Sequence, residues 1–106
     1  MHLVCVGLSH KTAPVEQREK AALSESACRA LLRSLSAVSN VGEVVALSTC
    51  NRTEVYAVGD ELGASEEAIV RAVVEHTAIT RGELDCARYL HLEERAAAHL
   101  FRVAAG

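Results

Sequence analysis

Two apolar runs joined by a short polar connection constrain the fold of this chain most strongly. Glu43–Leu47 and Thr53–Gly59 are each predicted to be a buried strand, because they are apolar, rich in β-branched residues and bounded by polar ones. The connection, Thr49–Arg52, is too short for a crossover. The two strands are therefore predicted to form a hairpin in an antiparallel sheet.

One cysteine, Cys50, lies in this connection. A thiol held there by two strands is partly exposed, and the Arg52 guanidinium two residues on favours the thiolate, which is the form that acts as a nucleophile. The alternative is that Cys50 only packs, since free cysteine is among the most buried residue types. Position in the chain leaves both interpretations open.

Length and composition limit the chain to one domain, residues 1–106, with a single core. Half of the residues are apolar but only 3% are aromatic, so Val, Leu and Ala must fill an interior that suits helices packed on a sheet. A formal charge of −3 gives no overall basic footprint for nucleic acid. Residues 1–52 nevertheless carry a net charge of +2 and residues 53–106 one of −5, so the half with Cys50 suits an anionic partner.

The cysteine pattern predicts neither a metal site nor a disulfide framework. The chain has four cysteines, with no C-x-x-C pair and no His/Cys cluster at zinc spacing. The first apolar run, Leu3–Leu8, lacks a charged region before it and is too short for a signal peptide. We therefore expect a reduced, cytoplasmic setting, with no segment that spans a membrane.

The remaining elements are predicted from periodicity and turn residues. Further strands are predicted at Leu3–Leu8 and, more weakly, at Cys86–Leu90. A turn is predicted at Gly59–Gly63. Helices are predicted over Val15–Ala21, from the N-cap Ser24 to near Asn40 and Gly42, from Ser65 to a break at Gly82, and over Leu92–Ala105.

This order of elements predicts an α+β fold: a ferredoxin-like split βαβ antiparallel sheet with helices, plus an extra C-terminal helix. The first and third strands are then central and antiparallel, so Leu8 and Thr53 should lie close together. His10 and Lys11, which come after the first strand, become candidates for lining a site with Cys50. The alternative is that both are solvated turn residues.

His99 lies at the boundary between the apolar and polar sides of the last predicted helix. A histidine in that position can face a cleft and exchange protons near neutral pH. The alternative is a histidine that only covers the edge of the core.

Three stretches carry a family resemblance. They are Gly7–Val15 with Arg18-Glu19 after it, Ser48–Tyr56, and Ala98–Gly106. Together they resemble the amino-terminal catalytic domain of glutamyl-tRNA reductase. The resemblance implies NADPH-dependent reduction of glutamyl-tRNA to glutamate-1-semialdehyde, the first committed step of tetrapyrrole (porphyrin and heme) biosynthesis by the five-carbon route.

The resemblance also implies roles for individual residues. Cys50 matches the nucleophile that holds the glutamyl group as a thioester. Thr49, Asn51 and Arg52 match positions that line the glutamate pocket, and a planar guanidinium suits a substrate carboxylate. His99 matches a position important for activity, as a base or as a wall of the pocket.

The chain differs from the family in lacking a cofactor signature. No G-x-G-x-x-G signature for a dinucleotide occurs in it. The family continues into an NADPH domain and a long dimerising helix, so NADPH is expected to bind outside this chain, in a homodimeric protein of which the chain is a fragment. The alternative function is a small ferredoxin-like binding or regulatory module with a structural cysteine.

Overall fold

The computed structural model covers every residue from Met1 to Gly106. The chain forms four strands and five helices joined by short connections. The strands are β1 (His2–Ser9), β2 (Val41–Ser48), β3 (Arg52–Gly59) and β4 (Tyr89–Leu92). The helices are α1 (Val15–Ala21), α2 (Glu25–Ser36), α3 (Leu62–His76), α4 (Arg81–Ala87) and α5 (Glu94–Ala105). None of these helices is long and apolar enough to cross a membrane.

The strands form one antiparallel sheet in the order β2-β3-β1-β4. This arrangement confirms the predicted α+β fold with a split βαβ sheet, and it confirms that β1 and β3 are central neighbours. Leu8 lies directly opposite Thr53, and Ser9 lies opposite Arg52. The end of β1 and the start of β3 therefore meet at one edge of the sheet.

The two faces of the sheet are covered differently. Alternate residues of β1, such as Val4, Val6 and Leu8, point to the main core, which also contains buried residues of α1 through α4. The intervening residue Cys5 points to the opposite face, where it packs with Tyr56 and with Ala96 of α5. The period-2 alternation of a strand thus separates a large apolar core from a smaller layer beneath α5.

Several predicted boundaries were wrong. Helix α2 ends at Ser36 rather than near Asn40, and α3 begins at Leu62 rather than at Ser65, so the last two residues of the predicted turn are helical. Leu62 packs against the main core, and this burial offsets the low helix propensity of Gly63.

The region after α3 was predicted least well. Gly82 does not break a helix but lies inside α4, which also contains Cys86, predicted to be in a strand. The side chain of Thr80 accepts the N–H of Glu83, whose carboxylate accepts the N–H of Thr80. This capping box starts the helix, and burial of Leu84 holds it on the core.

The last helix begins two residues later than predicted, because the chain first completes β4 and reverses at Glu93. Glu93 has a φ of 55°, its N–H donates to the carbonyl of Leu3, and its carboxylate accepts the N–H of Leu3. These bonds tie the turn to the start of β1 and direct α5 back across the sheet.

Candidate active site

An open cleft of about 320 Å³ lies where the end of β1, the start of β3 and the last turns of α5 meet. Its walls carry three cationic side chains, Lys11, Arg52 and Arg102, together with His99. Ser9, Val103 and Gly106 complete the lining. The cleft is thus strongly polar, and its charge favours an anionic ligand.

The pairing of β1 with β3 creates this cleft. The N–H of His10 donates to the carbonyl of Asn51 at 2.8 Å, so the predicted closeness of the two segments is confirmed. Lys11 lines the cleft, whereas His10 does not, and its side chain is exposed. Of the residues in the connection, Arg52 lines the cleft, but Thr49, Cys50 and Asn51 do not. Only the backbone of His10 contributes here, by holding the connection in place.

The connection between β2 and β3 is a tight, hydrogen-bonded turn. The N–H of Thr49 donates to the carbonyl of Arg52 at 2.8 Å, and the hydroxyl of Thr49 accepts the N–H of Asn51 at 3.2 Å. Cys50 lies at its tip and is exposed. The turn therefore presents the thiol to solvent on a fixed backbone, close to the residue that enters the cleft.

The guanidinium that contacts this turn is not the one expected from sequence. Arg52 points its Nη1 towards the carboxylate of Glu54, at 3.5 Å, while Nη1 of Arg18 donates to the carbonyl of Cys50 at 3.4 Å. Nε of Arg18 is buried and unpaired. Helix α1 thus supplies a cation at the backbone of Cys50, and β3 supplies one to the cleft.

A buried carboxylate, Glu54, joins the residues of the cleft to the sheet. Its side chain is 0% exposed. One oxygen accepts the hydroxyl of Tyr56 at 3.0 Å, and the other accepts the hydroxyl of Tyr89 and contacts Nε2 of His99. Arg52 lies beside the same second oxygen. A fully buried carboxylate with this many partners is typical of a functional or positioning group.

Electrostatics keep Glu54 ionised. Burial by itself would raise the pKa of this carboxyl, but the hydrogen bonds from Tyr89, His99 and Tyr56 outweigh it, so the pKa lies below its usual value. Burial and the neighbouring carboxylate raise the pKa of Tyr89, so this phenol stays protonated. Because an ionised carboxylate can only accept, Nε2 of His99 must be the donor in its contact with Glu54.

The side chain of His99 is 16% exposed and lies among aromatic rings. Its ring centroid is 4.4 Å from that of His91 and 5.4 Å from that of Tyr89. Burial and the adjacent His99 lower the pKa of His91, which favours a neutral ring there. His99 is therefore held from two sides while one edge stays open to the cleft.

Sequence reasoning missed several residues of the site, including the cations Arg18 and Arg102. Glu54, Tyr56, Tyr89 and His91 were not predicted to belong to a site. A signal for the first two was present, because Arg52, Glu54 and Tyr56 lie two residues apart along one strand and must share one of its faces. Nothing local in the sequence points to the two residues of β4.

The chain forms neither a cluster of metal ligands nor a parallel βαβ dinucleotide site. No group of three or more His, Cys, Asp or Glu side chains is placed to hold a metal ion. The sheet is antiparallel throughout, so the chain forms no parallel βαβ unit with a glycine-rich turn for a dinucleotide. We accordingly assign no NADPH contact and no hydride step to these residues.

Comparison with known proteins fits this arrangement. The family model for the glutamyl-tRNAGlu reductase N-terminal domain matches residues 6–106. This chain belongs to that family. A solved structure of the glutamyl-tRNA reductase from Methanopyrus kandleri superposes on 98% of the chain and 22% of its own length, with a TM-score of 0.66 and 35% identity.

Curated relatives in the family are similar over the whole chain. Glutamyl-tRNA reductases from Synechococcus elongatus and Thermobifida fusca are each 42% identical over 106 residues, and the one from Prochlorococcus marinus strain MIT 9301 is 41% identical. The chain spans 24%, 22% and 24% of these three relatives, about a quarter of their length.

Proposed function

We propose that this chain is the catalytic domain of a glutamyl-tRNA reductase, in which Cys50 takes the glutamyl group from glutamyl-tRNA as a thioester. The group is then reduced with NADPH to glutamate-1-semialdehyde for tetrapyrrole biosynthesis, by parts of the protein outside residues 1–106. The observation that carries the proposal is the exposed thiol of Cys50 on a hydrogen-bonded turn whose last residue, Arg52, lines the cationic cleft.

The first chemical step is an acyl transfer. The sulfur of Cys50 attacks the carbonyl carbon of the ester that links glutamate to the 3′-terminal ribose of the tRNA. A carbon–sulfur bond forms, the carbon–oxygen bond to the ribose breaks, and the electron pair leaves with the ribose oxygen. The thiol proton passes to His99, acting as base, and then to that oxygen, so the step consumes no net proton.

Charge and hydrogen bonding support the substrate assignment. Arg52 brings a planar guanidinium to the cleft, suited to the side-chain carboxylate of the glutamyl group. The side-chain amide of Asn51 is exposed and makes no hydrogen bond within the chain, which leaves it free for polar atoms of the substrate beside Thr49. Lys11 and Arg102 have no carboxylate partner and suit the phosphates of an RNA end.

The wider setting is proposed on the same basis. Family membership supports a cytoplasmic homodimer whose dimerising and NADPH-binding parts lie outside these residues. The four cysteines are all unpaired, in keeping with a reducing compartment.

Selective alkylation tests this function against the alternative of a binding or regulatory module with a structural cysteine. A cysteine that only packs is buried, as Cys5 is, whereas Cys50 is exposed. Cys86 is exposed on α4 outside the cleft and gives a matched control. We expect limiting iodoacetamide to modify Cys50 about tenfold faster than Cys86, because the cation of Arg18 lies at its backbone.

Peptide mass spectrometry over a time course measures both rates. Equal rates at Cys50 and Cys86 would favour the binding-module alternative. Incubation with glutamyl-tRNA provides the direct complement, since the proposed function requires a glutamyl adduct on Cys50 and none on Cys86.

Replacing Arg52 with lysine should weaken the use of substrate by roughly tenfold or more in kcat/KM, although the charge is retained. A lysine offers a point charge where arginine offers a planar fork, and one good charge-assisted bond is worth roughly 1.4 kcal/mol or more. Steady-state kinetics of the full-length protein measure the effect. Arg95→Lys on the exposed side of α5 is the control, and equal kinetics for both variants would contradict a carboxylate-binding role for Arg52.

A further inference from the structure

A glycine, Gly7, occupies the middle of a row of three residues across the sheet. On one side it lies opposite Glu54 of β3, and on the other side opposite Tyr89 of β4. Residues directly opposite each other in antiparallel strands point to the same face, so all three positions face α5. The only member without a side chain is thus the central one.

The backbone does not require a glycine at this position. Among the glycines only Gly106 has a positive φ, and Gly7 is ordinary extended backbone in β1. What an alanine would lack is space. A Cβ at position 7 would lie 2.7 Å from Cγ of Glu54 and 2.8 Å from the carbonyl oxygen of Thr53.

The missing side chain lets Glu54 lie across the central strand. From β3, its carboxylate passes over Gly7 to reach the hydroxyl of Tyr89 on β4 and Nε2 of His99 on α5. A Cβ at Gly7 would displace the middle of the Glu54 side chain and withdraw the carboxylate from these partners. Gly7 therefore acts on His99 through Glu54.

The contact also determines which atom of His99 is available for chemistry. Nε2 is engaged by Glu54, whereas Nδ1 makes no hydrogen bond and is not among the fully buried unpaired atoms of the chain. We propose that Gly7 is a positioning residue: it gives Glu54 room to hold Nε2 of His99, so that Nδ1 is the atom that exchanges protons with the substrate. The part about the substrate rests on the proposed function.

The tautomer of His99 tests this assignment without any substrate. In long-range ¹H–¹⁵N spectra of the labelled chain, neutral His99 should carry its proton on Nε2 and leave Nδ1 bare. We expect Gly7→Ala to populate both tautomers, and Glu54→Asp, whose carboxylate is one carbon shorter, to do the same. Gly63→Ala is the matched control, because a Cβ there meets nothing within 4 Å. A bare Nδ1 in all variants would overturn the proposal.

Activity gives the second readout. At saturating substrate, single-turnover thioester formation in the full-length protein should fall by about tenfold or more in Gly7→Ala, because base catalysis contributes roughly 10²–10⁴-fold. If the unmodified protein forms no thioester, the proposed function fails while the tautomer result stands. A rate in Gly7→Ala equal to that in Gly63→Ala would overturn the role of Gly7.

A variant that does not fold is also informative. If Gly7→Ala is unfolded, the substitution is repeated in the Glu54→Ala background. That background lacks the Glu54 Cγ that a Cβ at position 7 would meet. Recovery of folding in the double variant, measured by circular dichroism and urea unfolding, supports clearance for Glu54 as the reason for the glycine. If Gly7→Ala lowers the free energy of unfolding equally in both backgrounds, the clash is with the Thr53 carbonyl, and the proposal is overturned.

Discussion

Replacing Cys50 with serine is expected to abolish thioester formation and lower the turnover of the full-length protein by on the order of 10³-fold or more. An alcohol lacks the nucleophilicity of a thiol at neutral pH, and no other cysteine lies in the turn. The fold should be unaffected, because Cys50 is exposed and the turn is held by bonds of Thr49, Asn51 and Arg52 that do not involve its sulfur.

Trapping of the acyl-enzyme with labelled glutamyl-tRNA, and then gel analysis without reductant, measures this effect. Cys86→Ser is the control, since it removes a second exposed thiol outside the cleft and should leave the label unchanged. Full activity in Cys50→Ser would refute Cys50 as the nucleophile.

Residues 1–106 alone should produce no glutamate-1-semialdehyde from glutamyl-tRNA and NADPH. In the proposed function a thioester forms at Cys50, but hydride transfer requires a nicotinamide placed against it, and the antiparallel sheet forms no parallel βαβ dinucleotide site. Water is then the available acceptor, so we expect slow release of glutamate from Cys50.

Separate assays for glutamate and semialdehyde, each with and without NADPH, distinguish the two products. The Cys50→Ser form of the same chain gives the background of spontaneous ester hydrolysis. Semialdehyde that depends on NADPH would contradict the view that this chain supplies only the acyl-transfer half of the reaction.

Periodicity predicted the strands and most of the helices, since their patterns reflect burial of one face. The predicted burial of Glu43–Leu47 was wrong, because β2 is an edge strand in which Val45 is 54% exposed. The errors fall where local signals compete. Gly82 suggested a helix break, yet the capping box between Thr80 and Glu83 was present in the sequence and starts α4 there. Helix α2 stops at Ser36, where the N–H groups of Ala37 and Val38 donate to the carbonyls three residues before them instead of continuing the α-helical pattern.

The sequence by itself determined the order of the strands, the hairpin and the position of Cys50 between its strands, but not α4. These depend on chain-local facts: alternation of apolar residues, the length of the connection and the turn residues within it. The resemblance to the family added expected roles for His99 and for the residues that flank Cys50.

Only the tertiary structure decided how those residues are connected. Glu54, Gly7, Tyr89 and His99 are far apart in the chain, and their meeting depends on the register of three strands and on the path of α5 after the turn at Glu93. A one-residue slip in either strand pairing would send Glu54 or Tyr89 to the opposite face of the sheet. Register is a long-range property of the packed sheet, so no local pattern could specify this contact.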